Sequence, residues 1–171
     1  MSNDASPERV VRLTWGVKQS FRNYVEAVGG AIATAAGAER AADGAFTFSA
    51  APGVSLELTA GTSLIGAGAF VGEVRFEAHG GMLSVSFADP AVEISPTGGV
   101  LTVADRKVPG LRLEIVRLDV AAAQRAGAEL VIPAAATLDG MQLLGDHYPP
   151  GTVLDPVRLL LEPAPPATPQ A

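Results

Sequence analysis

Val74-Arg75-Phe76-Glu77-Ala78-His79-Gly80-Gly81-Met82-Leu83-Ser84-Val85-Ser86-Phe87-Ala88-Asp89-Pro90 decides the fold class. Val74, Phe76 and Ala78 alternate with charged residues, and Leu83, Val85 and Phe87 alternate with serines. Successive side chains of a strand point to opposite faces, so each run reads as a half-buried strand. His79-Gly80-Gly81 between them supplies a tight turn, and Asp89-Pro90 closes the second run. The pair is an antiparallel hairpin.

The same period continues in both directions. Upstream, alternation runs back unbroken from Ala78 to Phe70, and earlier through Val54, Leu56 and Leu58 and through Phe46 and Phe48. Downstream come Val92 and Ile94, then Leu101 and Val103 after Gly98-Gly99. Leu111, Leu113 and Ile115 keep one parity, whereas Val116, Leu118 and Val120 take the other. One extra residue produces that switch, so the pattern predicts a bulge near Ile115–Val116. Two late strands fall at Glu129–Ile132 and Val157–Leu161. A single segment carries helical spacing: Val17, Phe21, Tyr24, Val25 and Val28 form one stripe. It predicts a helix from Trp15 to Val28, capped by Thr14 and ended by Gly29-Gly30, with Lys18, Arg22 and Glu26 on its wetter face. The expected fold is mostly β, an antiparallel sandwich or barrel-like domain with one short N-terminal helix. Residues 10–162 form that domain. Residues 1–9 read as a flexible tail, and residues 163–171, with four prolines in nine positions, as a Pro-rich disordered one.

Composition narrows the function classes. The chain has 171 residues, no cysteine, and 12 Lys and Arg against 18 Asp and Glu, a net charge of −6. That excludes a disulfide framework, a thiolate metal site and a cysteine nucleophile. No basic stripe exists to displace counterions, so nucleic acid is not an expected partner. No window approaches the ~20 apolar residues of a membrane span. A basic region followed by an apolar one is missing at the N-terminus, which makes the cytoplasm the default address; a secreted or cell-surface location requires another export route.

Few residues offer chemistry. The two histidines, His79 and His147, lie far apart with no second ligand at metal spacing, which argues against a zinc site. Gly66, Gly68 and Gly72 brush against a dinucleotide fingerprint, but a strand rather than a helix follows. Ser20 and Tyr24 are one helical turn apart, about 40° around the axis, and point the same way. Spacing alone reads Tyr24 as a core tyrosine with a bonded hydroxyl, and His79 as an exposed turn histidine. Nothing pairs an acid with a base near Tyr24, so an enzyme is not expected.

Four stretches change that reading. Leu13-Thr-Trp-Gly-Val-Lys-Gln-Ser-Phe-Arg-Asn-Tyr24-Val resembles the opening motif of the HtaA family of haem-binding domains. Asp43-Gly-Ala-Phe-Thr-Phe48, the hairpin Val74–Pro90 and Tyr148-Pro-Pro-Gly-Thr-Val-Leu-Asp-Pro156-Val are similar to later family segments, in the same order. The resemblance implies a mostly β domain whose helix presents Tyr24 to ferric haem as axial ligand. It implies that His79 hydrogen-bonds to the phenolic oxygen, that Ser20 touches the haem edge or a propionate, and that Tyr148 lies near the pocket. Haem b would be the cofactor, covered by apolar strand faces. Family members serve haem capture and transfer at the cell surface of actinobacteria, so a haem donor or acceptor protein is an expected partner, and a homodimer is compatible with the sequence. The chemistry is consistent. A free tyrosine titrates near ~10, and ferric iron is the local charge that drives off its proton. The competing expectation is a haem-free β-sheet interaction module that keeps the scaffold.

Overall fold

The computed structural model describes residues 8–60, 63–105, 107–145 and 148–163. His147 and most of both expected tails lie outside them. Fourteen strands are described, in the order β1 (Glu8–Trp15), β2 (Ala31–Ala35), β3 (Glu39–Arg40), β4 (Phe46–Ala50), β5 (Glu57–Ala60), β6 (Ser63–Val71), β7 (Glu73–Ala78), β8 (Leu83–Ala88), β9 (Ala91–Ser95), β10 (Gly98–Ala104), β11 (Arg112–Leu118), β12 (Gln124–Ala126), β13 (Glu129–Ala136) and β14 (Val153–Pro163). Helix α1 (Gln19–Ala27) follows β1, and a short α2 (Leu138–Leu143) follows β13.

The large sheet closes on itself. Pairing runs β1–β14–β13–β11–β10–β9–β6–β5 and back to β1, an eight-stranded antiparallel barrel. β4 fills the other end of the slot between β1 and β6, pairing Phe48 with Leu13 and Ala50 with Phe70. Inward residues such as Leu13, Leu101, Val116, Ile132 and Leu159 are fully buried and form the core. The expected bulge is present. Leu101 faces Val116 while its neighbour Thr102 faces Glu114, so Ile115 is the extra residue and both Ile115 and Val116 are buried. The carbonyl that the bulge frees accepts the Thr137 amide at the start of α2.

The hairpin that decides the fold class is the tip of a longer ribbon. β6 and β9 pair in the barrel, with Ala69 opposite Ala91; β7 and β8 continue the same two strands, with Glu73 opposite Ala88, into a second sheet ordered β2-β7-β8. The ribbon therefore bends out of the barrel between those rungs. Alternation from Phe70 to Ala78 predicts one strand, and Gly72 splits it. Gly72 has φ +141°, and a Cβ there would sit 2.6 Å from Ala38 Cβ and 2.8 Å from its amide nitrogen. Across the bend Asp89 donates its amide to the Gly72 carbonyl at 2.8 Å, and its Oδ1 accepts the Gly72 amide at 3.2 Å. Gly72→Ala combines a disfavoured φ with a backbone clash and is expected to cost about 1–3 kcal/mol, checked by chemical denaturation.

The N-terminal region departs most from expectation. Trp15 ends a strand, the helix begins four residues later, and Thr14 is buried in β1 rather than capping anything. Glu8 and Arg9 form the first rungs of β1, opposite Pro163 and Glu162. Glu8 also accepts both guanidinium nitrogens of Arg125, at 2.9 and 2.7 Å, which ties β12 to β1. The Arg125 hydrogen bond holds the Glu8 carboxyl below its ordinary value, partial burial opposing it. Stability from this pair is present above the ordinary glutamate pKa and is lost as pH falls through the depressed folded value. The pair is about one-third exposed, so Glu8→Gln should cost less than about 1 kcal/mol at neutral pH. That difference should vanish in acid, as read from urea midpoints measured across pH.

Candidate functional site

Helix α1 lies against the second sheet. Phe21 packs on Phe76 with ring centroids 5.0 Å apart, and Phe76 in turn meets Phe46 and Phe87 edge-on. The helix buries Phe21, Arg22 and Val25. Tyr24 lies off that stripe and is 41 % exposed, so it is not the core tyrosine that spacing alone suggests. Its hydroxyl instead meets His79. Tyr24 Oη and His79 Nε2 are 2.6 Å apart, although 55 residues separate them in sequence. His79 opens the turn between β7 and β8 with φ +55°, a left-handed conformation that is uncommon for a residue with a side chain. The hairpin turn thus carries the imidazole to the exposed side of the helix.

The pair can exchange roles. A protonated phenol donates to an imidazole whose Nε2 is bare, and an Nε2–H donates to a phenolate oxygen. Val28, one turn beyond Tyr24, is 41 % exposed, and Met82, which follows the glycine turn, is 91 % exposed. Ser20 is exposed one turn before Tyr24. Tyr148 is brought close to the same helix but not to the hydroxyl pair. Its ring meets Phe21 edge-on at 6.2 Å, and Lys18 Nζ lies 5.8 Å from its centroid. Apolar strand faces point into the core instead of forming a cleft around Tyr24, so the pair sits on an open surface. Among the described residues no three His, Cys, Asp or Glu side chains group at metal-binding spacing.

What fixes α1 is a knot that the sequence reading misses. The helix has no side-chain cap of its own. Asp155, at the start of β14, accepts the Gln19 amide through Oδ1 at 3.1 Å and Arg22 Nη1 through Oδ2 at 2.7 Å. Its carbonyl accepts Trp15 Nε1 at 2.9 Å, and its amide donates to the Val17 carbonyl at 3.0 Å. Arg22, expected on the wet face, is buried, and its Nη1 also donates to the Gly16 carbonyl at 2.6 Å. A Cβ on Gly16 would collide with Arg22 Nη1 and stand 2.6 Å from Asp155 Oδ2, so a side chain there would push this ion pair apart. Asp43 has a similar structural role. The Ala45 amide holds its carboxyl below the usual range against partial burial, with Arg158 assisting.

An antiparallel barrel whose side sheet and single well-anchored helix bring a tyrosine and a histidine together defines a class of small β-barrel domain. Residues 11–160 match the profile of the HtaA family, described as Htaa, and the chain belongs to that family. Solved structures give the same fold. The C-terminal domain of HtaA from Corynebacterium glutamicum is 24 % identical with a TM-score of 0.62, over 90 % of this chain and 98 % of that one. The N-terminal domain of the same protein is 21 % identical with a TM-score of 0.67, over 90 % and 99 %. The haem-binding protein HtaB from that organism is 20 % identical with a TM-score of 0.63, over 91 % and 93 %. The comparison with curated proteins returns no match.

Proposed function

We propose that the protein binds ferric haem through the Tyr24 phenolate, with His79 hydrogen-bonded to the same oxygen, in haem storage, capture or transfer. The observation that carries this reading is the 2.6 Å approach of Tyr24 Oη to His79 Nε2 on an exposed surface. The donor set suits the group: one hard, ionisable oxygen, an imidazole in bonding reach, and Val28 and Met82 as apolar surface beside it. Ferric haem would supply a Lewis-acidic iron, and the Tyr24 oxygen is the hard anionic donor that would hold it. On binding, the Tyr24 phenolic proton would pass to His79 Nε2, 2.6 Å away, and the resulting Nε2–H would orient the phenolate oxygen and tune its basicity. Ser20, on the exposed side of α1, would meet a polar haem edge. Tyr148 supports the helix from beneath through Phe21. Membership of the HtaA family, together with the shared fold of a solved haem-binding protein, supports binding rather than catalysis as the role.

The test is a hemin titration of the purified protein, followed by absorbance. A saturable Soret shift at one equivalent is the expected result. Protein that stays colourless and leaves the free-hemin spectrum unchanged would instead be a haem-free interaction module.

A further inference from the structure

The outer wall of the barrel carries a pattern that matches itself. Across five neighbouring strands Ala67, Glu93, Val100, Arg117 and Ala135 stand in one cross-strand row, each directly opposite the next. Residues opposite each other in an antiparallel sheet point to the same face, so all five share the outer surface. The row reads small, acidic, apolar, basic, small. Glu93 and Arg117 flank Val100 on either side, each one strand away, about 5 Å in the pairing direction. Both are exposed, and neither side chain makes an ion pair or hydrogen bond with another described residue. Two residues earlier on their strands, Ile65 precedes Ala67 and Pro133 precedes Ala135, both exposed apolar side chains. All of these except Ala67 line an open groove of about 1310 Å³.

We infer that this wall is a homodimer interface that packs against a second copy of itself. A two-fold axis lying along β10 above Val100 exchanges β9 with β11 and β6 with β13. It therefore sets Glu93 of one protomer over Arg117 of the other, and the reverse, so that two ion pairs form from four unpaired charges. The same operation places Ile65 over Pro133, Ala67 over Ala135 and Val100 over itself. An axis along the row instead would set Glu93 against Glu93, which like-charge repulsion disfavours. Such an isologous contact uses one patch twice and closes without further growth. Charge complementarity is the argument for a second copy over another partner. The long Glu93 and Arg117 side chains span the hollow that backbone alone would leave. The interface shares no residue with Tyr24, His79, Val28 or Met82, so both hemin surfaces stay open in the dimer.

Sedimentation equilibrium of the hemin-free full chain, from micromolar to near-millimolar concentration, tests the inference independently of the haem reading. The wild type should reach a dimer. Glu93→Arg and Arg117→Glu should each shift the dissociation constant at least tenfold towards monomer, with thermal stability unchanged because both sites are on the surface. The Glu93→Arg/Arg117→Glu double variant should recover the dimer, since the charges are then merely interchanged. A wild type that stays monomeric throughout overturns the inference. So does a dimer indifferent to the single reversals, or a double variant no better than either one; these outcomes would assign the groove to another occupant or the dimer to another surface.

Discussion

Under the proposed coordination by Tyr24, Tyr24→Phe should strip the iron–oxygen bond from the hemin complex while keeping the ring and its contacts. Affinity is expected to fall by more than about 100-fold, beyond the ~10–100-fold typical of losing a residue that only supports a ligand. The tyrosinate-to-iron charge-transfer absorbance should disappear with it. His79→Ala should lie in the ~10–100-fold range and keep that absorbance at a shifted position, because the oxygen ligand remains but loses its hydrogen bond. The two variants together separate coordination from support. A Tyr24→Phe protein with the wild-type spectrum and affinity would remove Tyr24 from the iron altogether. An unchanged His79→Ala protein would remove only the histidine's part.

Asp155→Ala should be the most destabilising substitution outside the apolar core. It leaves the buried Arg22 guanidinium without its ion-pair partner, with the Gly16 carbonyl as acceptor and the Asp43 charge as remaining compensation, and it uncaps the first turn of α1. Breaking a buried pair by removing one partner costs about 3–5 kcal/mol, because a charge stays buried without compensation. For a chain of this length that corresponds to a fall in Tm of roughly 6–20 °C. Asp155→Asn keeps an acceptor for the Gln19 amide and should lose less. The Arg22→Met/Asp155→Leu double variant removes both charges and should recover much of the loss, since an apolar pair of similar volume replaces a buried ion pair at little cost. Thermal melts of the four proteins measure this directly; an Asp155→Ala melt within about 2 °C of wild type would mean that Arg22 is already well solvated.

Most of the barrel was legible because its strands alternate strongly, and even the bulge at Ile115 announced itself as a change of parity. The parts that were not legible have specific causes. β1 was hidden by its own irregularity: the register shifts between Val10 and Arg12, so the buried positions Val10, Leu13 and Trp15 are spaced three and then two apart. With no alternation to mark a strand there, the helical stripe that begins at Val17 extends unopposed back to Trp15 in the sequence. β2 is Ala-Ile-Ala-Thr-Ala, which offers no contrast between faces. A charged residue such as Arg22 reads by default as solvent-facing, and its partner lies 133 residues away, beyond any local pattern. Tyr24 and His79 could be singled out by residue type and turn chemistry. Their meeting was not readable from spacing, since it depends on how the second sheet leans across the helix. The Tyr148–Phe21 contact belongs to the same non-local class.

The outward-bent ribbon makes His79 the far point of a lever. From Gly72 to the tip is about six residues, or roughly 20 Å at ~3.3 Å per strand residue. A change of only about 5° at the bend would carry the imidazole nearly 2 Å, enough to part it from a phenol at hydrogen-bond distance. Tyr24 is clamped through Asp155 to the barrel wall and follows the ribbon only as far as the Phe21–Phe76 contact and the β2–β7 pairing carry it. Substitutions at Gly72, Ala38 or Asp89 should therefore act at a distance on the hydroxyl–imidazole contact, by shearing the ribbon against a helix held from its other side.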